Sequence, residues 1–255
     1  MTRVLITIVL FLSGSLLEAA IAPHRAYYKV SMISAQDRTS IIDTKGTMTL
    51  KMDRVCDGWT IEQNSKTLTH TKMGIPEELI AHYVAWESES GDQLRFYTRR
   101  QVNSMTTERI DGVAGFGETQ GTVDFNHPEI KTFPLGKATV PPMQHLQKIL
   151  SLAEKGESMT SATVFDGSYF GEPVNISVFV GKASPACQQA LGAVNQWPLH
   201  MAIFDQNSQD ANPNFVINQN MSDNGVMCSY TIDFGDYKVR GDLQRVEYLD
   251  EKSCG

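Results

Sequence analysis

From residue 26 to residue 249 the chain offers about a dozen strand-like segments and a single convincing helix, an imbalance that confines it to a mainly β architecture. Ala26–Met32, Gly46–Met52, Trp59–Thr71, Tyr83–Glu89, Gln93–Val102 and Met105–Ile110 are rich in Tyr, Val and Thr, with polar turns between them. Thr163–Phe165, Val174–Val180, Leu199–Phe204, Phe215–Met221, Gly225–Phe234 and Tyr237–Leu249 continue the series. Alternation is strict over Tyr230–Phe234, the mark of a strand with one buried face. Ser90-Gly91-Asp92 reads as a hairpin turn, and so does Asp111-Gly112 after Ile110. So many strands in one sheet accumulate twist and leave edges that invite pairing. The expected fold is therefore a single large antiparallel barrel-like or spiral sheet, with a two-sheet sandwich as the second choice.

The exception is Pro141–Gly156. Met143, Leu146, Ile149, Leu150 and Ala153 share one helical face, prolines open the segment, and Gly156 can take the left-handed position after its end. An amphipathic helix of this kind is expected to plug or cover one opening of the curved sheet; docking a partner is the other use of such a face.

The N-terminus reads as a secretory leader, residues 1–22. Arg3 precedes the unbroken apolar run Val4–Leu12, and small residues follow up to Ala22. Ala20 and Ala22 have cleavage-site spacing, but Pro23 would follow a cut after Ala22, and Glu18 stands three residues before a cut after Ala20. Cleavage is thus placed near residues 20–22, leaving 23–255 as one β domain. The run is short of the ~20 residues of a membrane span, so no integral span is expected, an uncleaved anchor being the weaker reading.

Export makes disulfides the first reading of Cys56, Cys187, Cys228 and Cys254, for which three pairings are open. None lies in a C-x-x-C pair, so a zinc ribbon or thioredoxin-type centre has no support. The formal charge of −7 argues against nucleic acid as a partner, since phosphate contacts need a basic surface.

The templates of catalysis are not met. Gly115–Gly121 misses the dinucleotide fingerprint by one residue and fits a β-hairpin bend better. The six histidines are scattered; His145, on the helix, is the most tempting, but a packing role suits it better than that of a base. Glu87 and Asp92 flank a turn and are the one carboxylate pair worth weighing for glycan hydrolysis. Asp57-Gly58 and Asp166-Gly167 read as turns. Trp59, Trp86, Phe96, Tyr97, Phe165, Tyr169 and Phe170 suit core packing before a ligand pocket. No metal or cofactor is implied.

In order along the chain, Cys56-Asp57-Gly58-Trp59, Trp86-Glu87-Ser88 before Gly91-Asp92, Pro142 and His145, Phe165-Asp166-Gly167-Ser168, Asn224-Gly225-Val226, Phe234-Gly235-Asp236-Tyr237 and a terminal Cys254 make a pattern. It resembles the envelope integrity protein B (EipB-like) family of alphaproteobacterial periplasmic proteins over nearly the whole mature chain. The resemblance implies a β-spiral, a bent barrel-like antiparallel sheet with a helix alongside. It implies a non-enzymatic periplasmic role in envelope integrity and stress resistance, with a periplasmic tetratricopeptide-repeat protein as partner. It also implies a Cys56–Cys254 disulfide, which leaves Cys187 with Cys228. A carrier of lipid or another hydrophobic ligand is the second reading of function, and a glycan hydrolase using Glu87 and Asp92 the third.

Overall fold

The computed structural model describes residues 21–185, 191, 194–206, 210–250 and 254. Residues 1–20 of the expected leader, and Cys187, lie outside the described residues.

The first half of the chain is a meander: β1 (His24–Ala35), β2 (Ile41–Val55), β3 (Gly58–Thr71), β4 (Glu77–Ser88), β5 (Gln93–Val102), β6 (Met105–Gly115), β7 (Gly121–His127) and β8 (Lys131–Leu135). A two-residue strand, β9 (Thr139–Val140), leads into helix α1 (Pro142–Glu154). The second meander is β10 (Met159–Val164), β11 (Val174–Val180), β12 (Gln196–Asp205), β13 (Phe215–Ser222), β14 (Met227–Asp233) and β15 (Tyr237–Tyr248).

Antiparallel pairing of β1 with β15, from His24 opposite Tyr248 to Ala35 opposite Tyr237, fuses the meanders into one 15-stranded sheet ordered β8 to β1, then β15 to β9. Its two edges, β8 and β9, are joined directly by a turn in which the Thr139 N–H donates to the Gly136 carbonyl at 2.9 Å. The sheet therefore wraps until its ends are neighbours in sequence, the barrel-like spiral expected from the strand count. Among the described residues β9 and β10 form the one parallel pair, and a parallel pair needs a crossover, which α1 supplies.

Three apolar clusters line the inner face. Where α1 enters, Met143, Ile149, Leu150 and Ala153 pack on Met52, Trp59, Ile61, Val178, Trp197 and Leu199. Under β4–β8, Phe96, Phe125 and Phe165 meet edge to face with ring centres 5.4–6.1 Å apart, and Phe170 stands 4.8 Å from Phe125. Tyr28, Val30, Met48, Tyr230 and Val239 form the third. The helix ends as its sequence implies: Pro141 precedes the first turn and Gly156 takes φ +76°.

Two details differ from expectation. Asp111-Gly112 is no turn: β6 runs through it, and Gly112 admits the Phe96 ring against a backbone where an added Cβ would stand 2.8 Å from Phe96 Cζ. The reversal after this strand lies later, between Gly115 and Gly121, while Asn103-Ser104, both in the left-handed region, turn the chain from β5 into β6. The stretch 121–135 carries β7 and β8, although its polar residues conceal them; Val123, Phe125 and Leu135 are fully buried between exposed neighbours.

Cys56, in the β2–β3 turn, is bonded to Cys254 beyond β15, with Cα atoms 5.4 Å apart and a sequence separation of 198. The bond thereby links the two strands that flank the start of β1 and ties the fusion of the two meanders. Cys228 is buried in β14 and carries no free thiol. Loop closure over so many residues is worth roughly 5 kcal/mol at most in the chain-entropy model. Replacing Cys56 and Cys254 together by serine should lower stability to urea unfolding by about 2–5 kcal/mol while the far-ultraviolet β signal persists.

Candidate functional site

The seat of α1 gathers most of the motif residues. Pro141 cannot cap the helix with its side chain, so the first turn would leave donors unmatched. Glu87, pointing inward at the end of β4, replaces the cap: its carboxylate accepts from the Met143 N–H at 2.7 Å and the Gln144 N–H at 3.0 Å. Gln144 in turn donates from Nε2 to the Ser90 carbonyl at 2.7 Å. Glu87 is only 1% exposed, and burial pushes its pKa up to about 7 against the lowering pull of the two backbone donors. Asp92 sits in the adjoining turn, accepting from Ser88 and Ser90 hydroxyls that hold its pKa down. Both members of the weighed carboxylate pair are thus committed to structural bonds. His145 is buried on the inner helix face. Burial, helped by Lys148, lowers its pKa to about 4, so its imidazole is neutral.

Two motifs position this seat. Opposite Glu87 stands Trp59, buried under α1, while the Arg54 guanidinium lies 5.4 Å from the centre of its ring. Gly58 is needed because a Cβ there would lie 2.0 Å from the Glu87 carbonyl oxygen. Asp57 accepts from Trp86 Nε1 at 3.2 Å; Trp86 itself lies on the outer face with Arg95 5.0 Å from its ring centre. The Phe165–Phe170 segment forms a strap across β4 and β5. Tyr83 Oη donates to the Asp166 carbonyl (2.7 Å), Thr98 to that of Gly167 (3.1 Å) and Arg100 to that of Ser168 (3.1 Å). Gly167, at φ +71°, leaves the space that the Phe96 ring occupies.

Helix and strap fill part of the interior and leave a cavity of about 450 Å³ beyond them, within the size range of small-molecule sites. Its walls differ. From β13, β14 and β15 come Ile217, Met227, Tyr230, Ile232 and Val239; from β3 come Gln63, Ser65, Thr67 and Thr69 at alternate positions. Glu77, opposite Thr69 at the start of β4, is the one charged side chain among the described residues lining it. Its carboxylate and burial both raise the Tyr237 phenol, burial more. Sequence reasoning missed these polar residues, although the period-two run Gln63, Ser65, Thr67, Thr69 carried the signal.

A family model described as EipB-like matches residues 17–250. The chain belongs to the EipB-like family. The protein named cell envelope integrity protein EipB from Brucella abortus (strain 2308) is 27% identical over 241 residues, covering 90% of this chain and 85% of that one. The crystal structure of a beta-barrel-like protein of domain of unknown function DUF1849 from Brucella abortus is 24% identical, with a TM-score of 0.86 over 91% of this chain and 99% of that one. The spiral sheet is thus a shared fold of this EipB-like protein and its solved neighbour. No helix among the described residues is long and apolar enough to cross a membrane.

The capping role of Glu87 has a pH signature. Its folded pKa of about 7 exceeds the ordinary 4.5, so the folded state holds the proton more tightly. That contribution is complete below the unfolded value and is lost as pH rises through the folded one. The lowered His145 slopes the other way, so the Glu87 effect is isolated by comparison with Glu87→Gln. The parent's stability advantage over Glu87→Gln should shrink by about 2–3 kcal/mol from about pH 5 to about pH 8, measured by chemical denaturation.

Proposed function

We propose that this protein works in the periplasm, where it supports cell-envelope integrity and resistance to envelope stress by binding other molecules and not by catalysis. The observation that carries this reading is the match of residues 17–250 to the EipB-like family, within which the Brucella abortus relative bears the envelope integrity name. The commitment of Glu87 to capping and the burial of neutral His145 support a role without bond-breaking chemistry. The Cys56–Cys254 link suits an oxidising compartment. A periplasmic tetratricopeptide-repeat protein is the partner proposed from the family resemblance. A second reading, a carrier of a hydrophobic ligand, is favoured by the cavity beside the helix. Deleting the gene should reduce survival on a β-lactam or detergent, with rescue by the full chain and not by a copy lacking residues 1–20. Unchanged survival of the deleted strain would overturn the reading.

Export also implies a processed N-terminus, with the remainder forming one domain. Ile21 belongs to the core under α1 at 7% exposure, and the Ala22 N–H donates to the Asn224 carbonyl at 2.9 Å. A cut after Ala22 would strip Ile21 from that core, so packing favours the cut after Ala20 even with Glu18 three residues before it. N-terminal sequencing of protein recovered from the periplasm should begin at Ile21.

A further inference from the structure

We propose that the interior cavity is a binding site for a single-chain amphipath whose head group is uncharged or cationic, such as a monoacylglycerol or an alkylamine, and that fatty acids and other anionic amphipaths are disfavoured there. The proposal rests on the carrier reading and adds to it the chemical class of the ligand.

The cavity is two-faced. Its apolar wall, drawn from β13–β15 with Val30 and Met48 at the floor, offers a surface for a hydrocarbon chain. Facing it, Gln63, Ser65 and Thr67 are half-buried, and their side chains make no hydrogen bond with any described residue; nor does Gln219. Thr69 bonds only to Thr44, at 3.0 Å. A merely structural interior would be expected to fill inward positions with apolar groups or to pair its polar ones. Three successive inward positions on β3 do neither, and with Thr69 they form a strip of amide and hydroxyl groups running toward Glu77.

Charge decides the head group. No Lys, Arg or His lines the cavity among the described residues. Lys66, the nearest cation along β3, points outward and pairs with Glu78 at 2.7 Å, leaving Glu77 without an ion pair among the described residues. A carboxylate or phosphate head would meet a lone carboxylate with no compensating cation, whereas an ammonium head would find an opposite charge and a hydroxylated head both acceptors and donors without repulsion.

The way in is at the same end. The β1–β2, β3–β4 and β14–β15 turns meet there: the Lys72 N–H donates to the Ser40 carbonyl at 2.8 Å and the Gln36 N–H to that of Asp236 at 2.8 Å. Met73, Ile75 and Phe234 stand exposed on those turns, an apolar rim suited to receiving a chain. The opposite end is filled by α1.

The test uses the purified mature chain and the uncharged fluorophore N-phenyl-1-naphthylamine, displaced by monomyristoylglycerol, by dodecylamine or by myristate. The fluorophore should brighten, and the first two competitors should displace it at concentrations at least about tenfold lower than myristate. Glu77→Lys, an exposed substitution, should invert the order of dodecylamine and myristate. Thr67→Trp, which fills the cavity, should weaken all binding by at least about tenfold with an unchanged circular dichroism spectrum. Myristate binding best in a manner that Thr67→Trp abolishes would overturn the charge rule and leave the carrier reading standing. Absence of binding, or binding indifferent to Thr67→Trp while Glu77→Lys also changes nothing, would overturn both.

Discussion

The pairing of β1 with β15 is the constraint from which the rest of the molecule follows. Each meander alone is a sheet with exposed edges, and its apolar inner face has nothing to pack against. Joining the first strand to the last turns the two meanders into one sheet, and accumulated twist then brings β8 and β9 to either side of a single turn. The contacts that join the halves are distant in sequence, so loop-closure entropy opposes them. The Cys56–Cys254 bond acts at this point. It holds the tail beyond β15 against the β2–β3 turn, so the unfolded chain never separates the two edges of the seam completely.

Closing the sheet creates an interior that must be filled, and the chain fills it with two devices. The first is α1, held at its N-terminus by Glu87 from the opposite wall. Burying a carboxylate is costly, and the raised pKa is the measure of that cost; the two backbone donors and the positive helix end offset part of it. A side chain on a strand thus fixes where a helix sits inside the sheet, which apolar packing alone would specify less sharply. The second device is the Phe165–Phe170 strap, whose carbonyls are met by Tyr83, Thr98 and Arg100. Both devices lean on β4 and β5, which explains why the short motifs scattered through the sequence converge there.

Much of this was legible before the structure. Strand-like composition and the single amphipathic segment were enough for a mainly β spiral with a helix, because those signals are local and periodic. The strands at 121–135 were hidden because β7 and β8 are short and bounded by polar turns, and Asp111-Gly112 imitated a turn because nothing local shows that Phe96 needs the space over Gly112. Glu87 was noticed for its chemistry and not for its capping role, since the donors it serves lie 56 and 57 residues away. The cavity was least legible. Its walls come from seven strands, and only the register brings Glu77 beside Thr69 or sets β3 against β14.

The inner face of β3 sharpens what an unfilled interior implies. Trp59 and Ile61 obey the rule that inward positions are apolar, and from Gln63 onward the same face abandons it. The change comes where α1 stops covering the strand. Half-buried amide and hydroxyl groups are tolerable only while they find partners, which water in an accessible cavity provides. Apolar residues at these positions would have lengthened the core and strengthened the barrel, at the expense of the cavity. Their absence on one wall, with Met227, Ile232 and Val239 retained on the other, divides the interior into a packed half that stabilises the fold and an open half whose chemistry is set for a two-faced ligand. Stability and binding capacity are in this way assigned to opposite ends of the same strands, so that changes to the pocket need not disturb the seat of the helix.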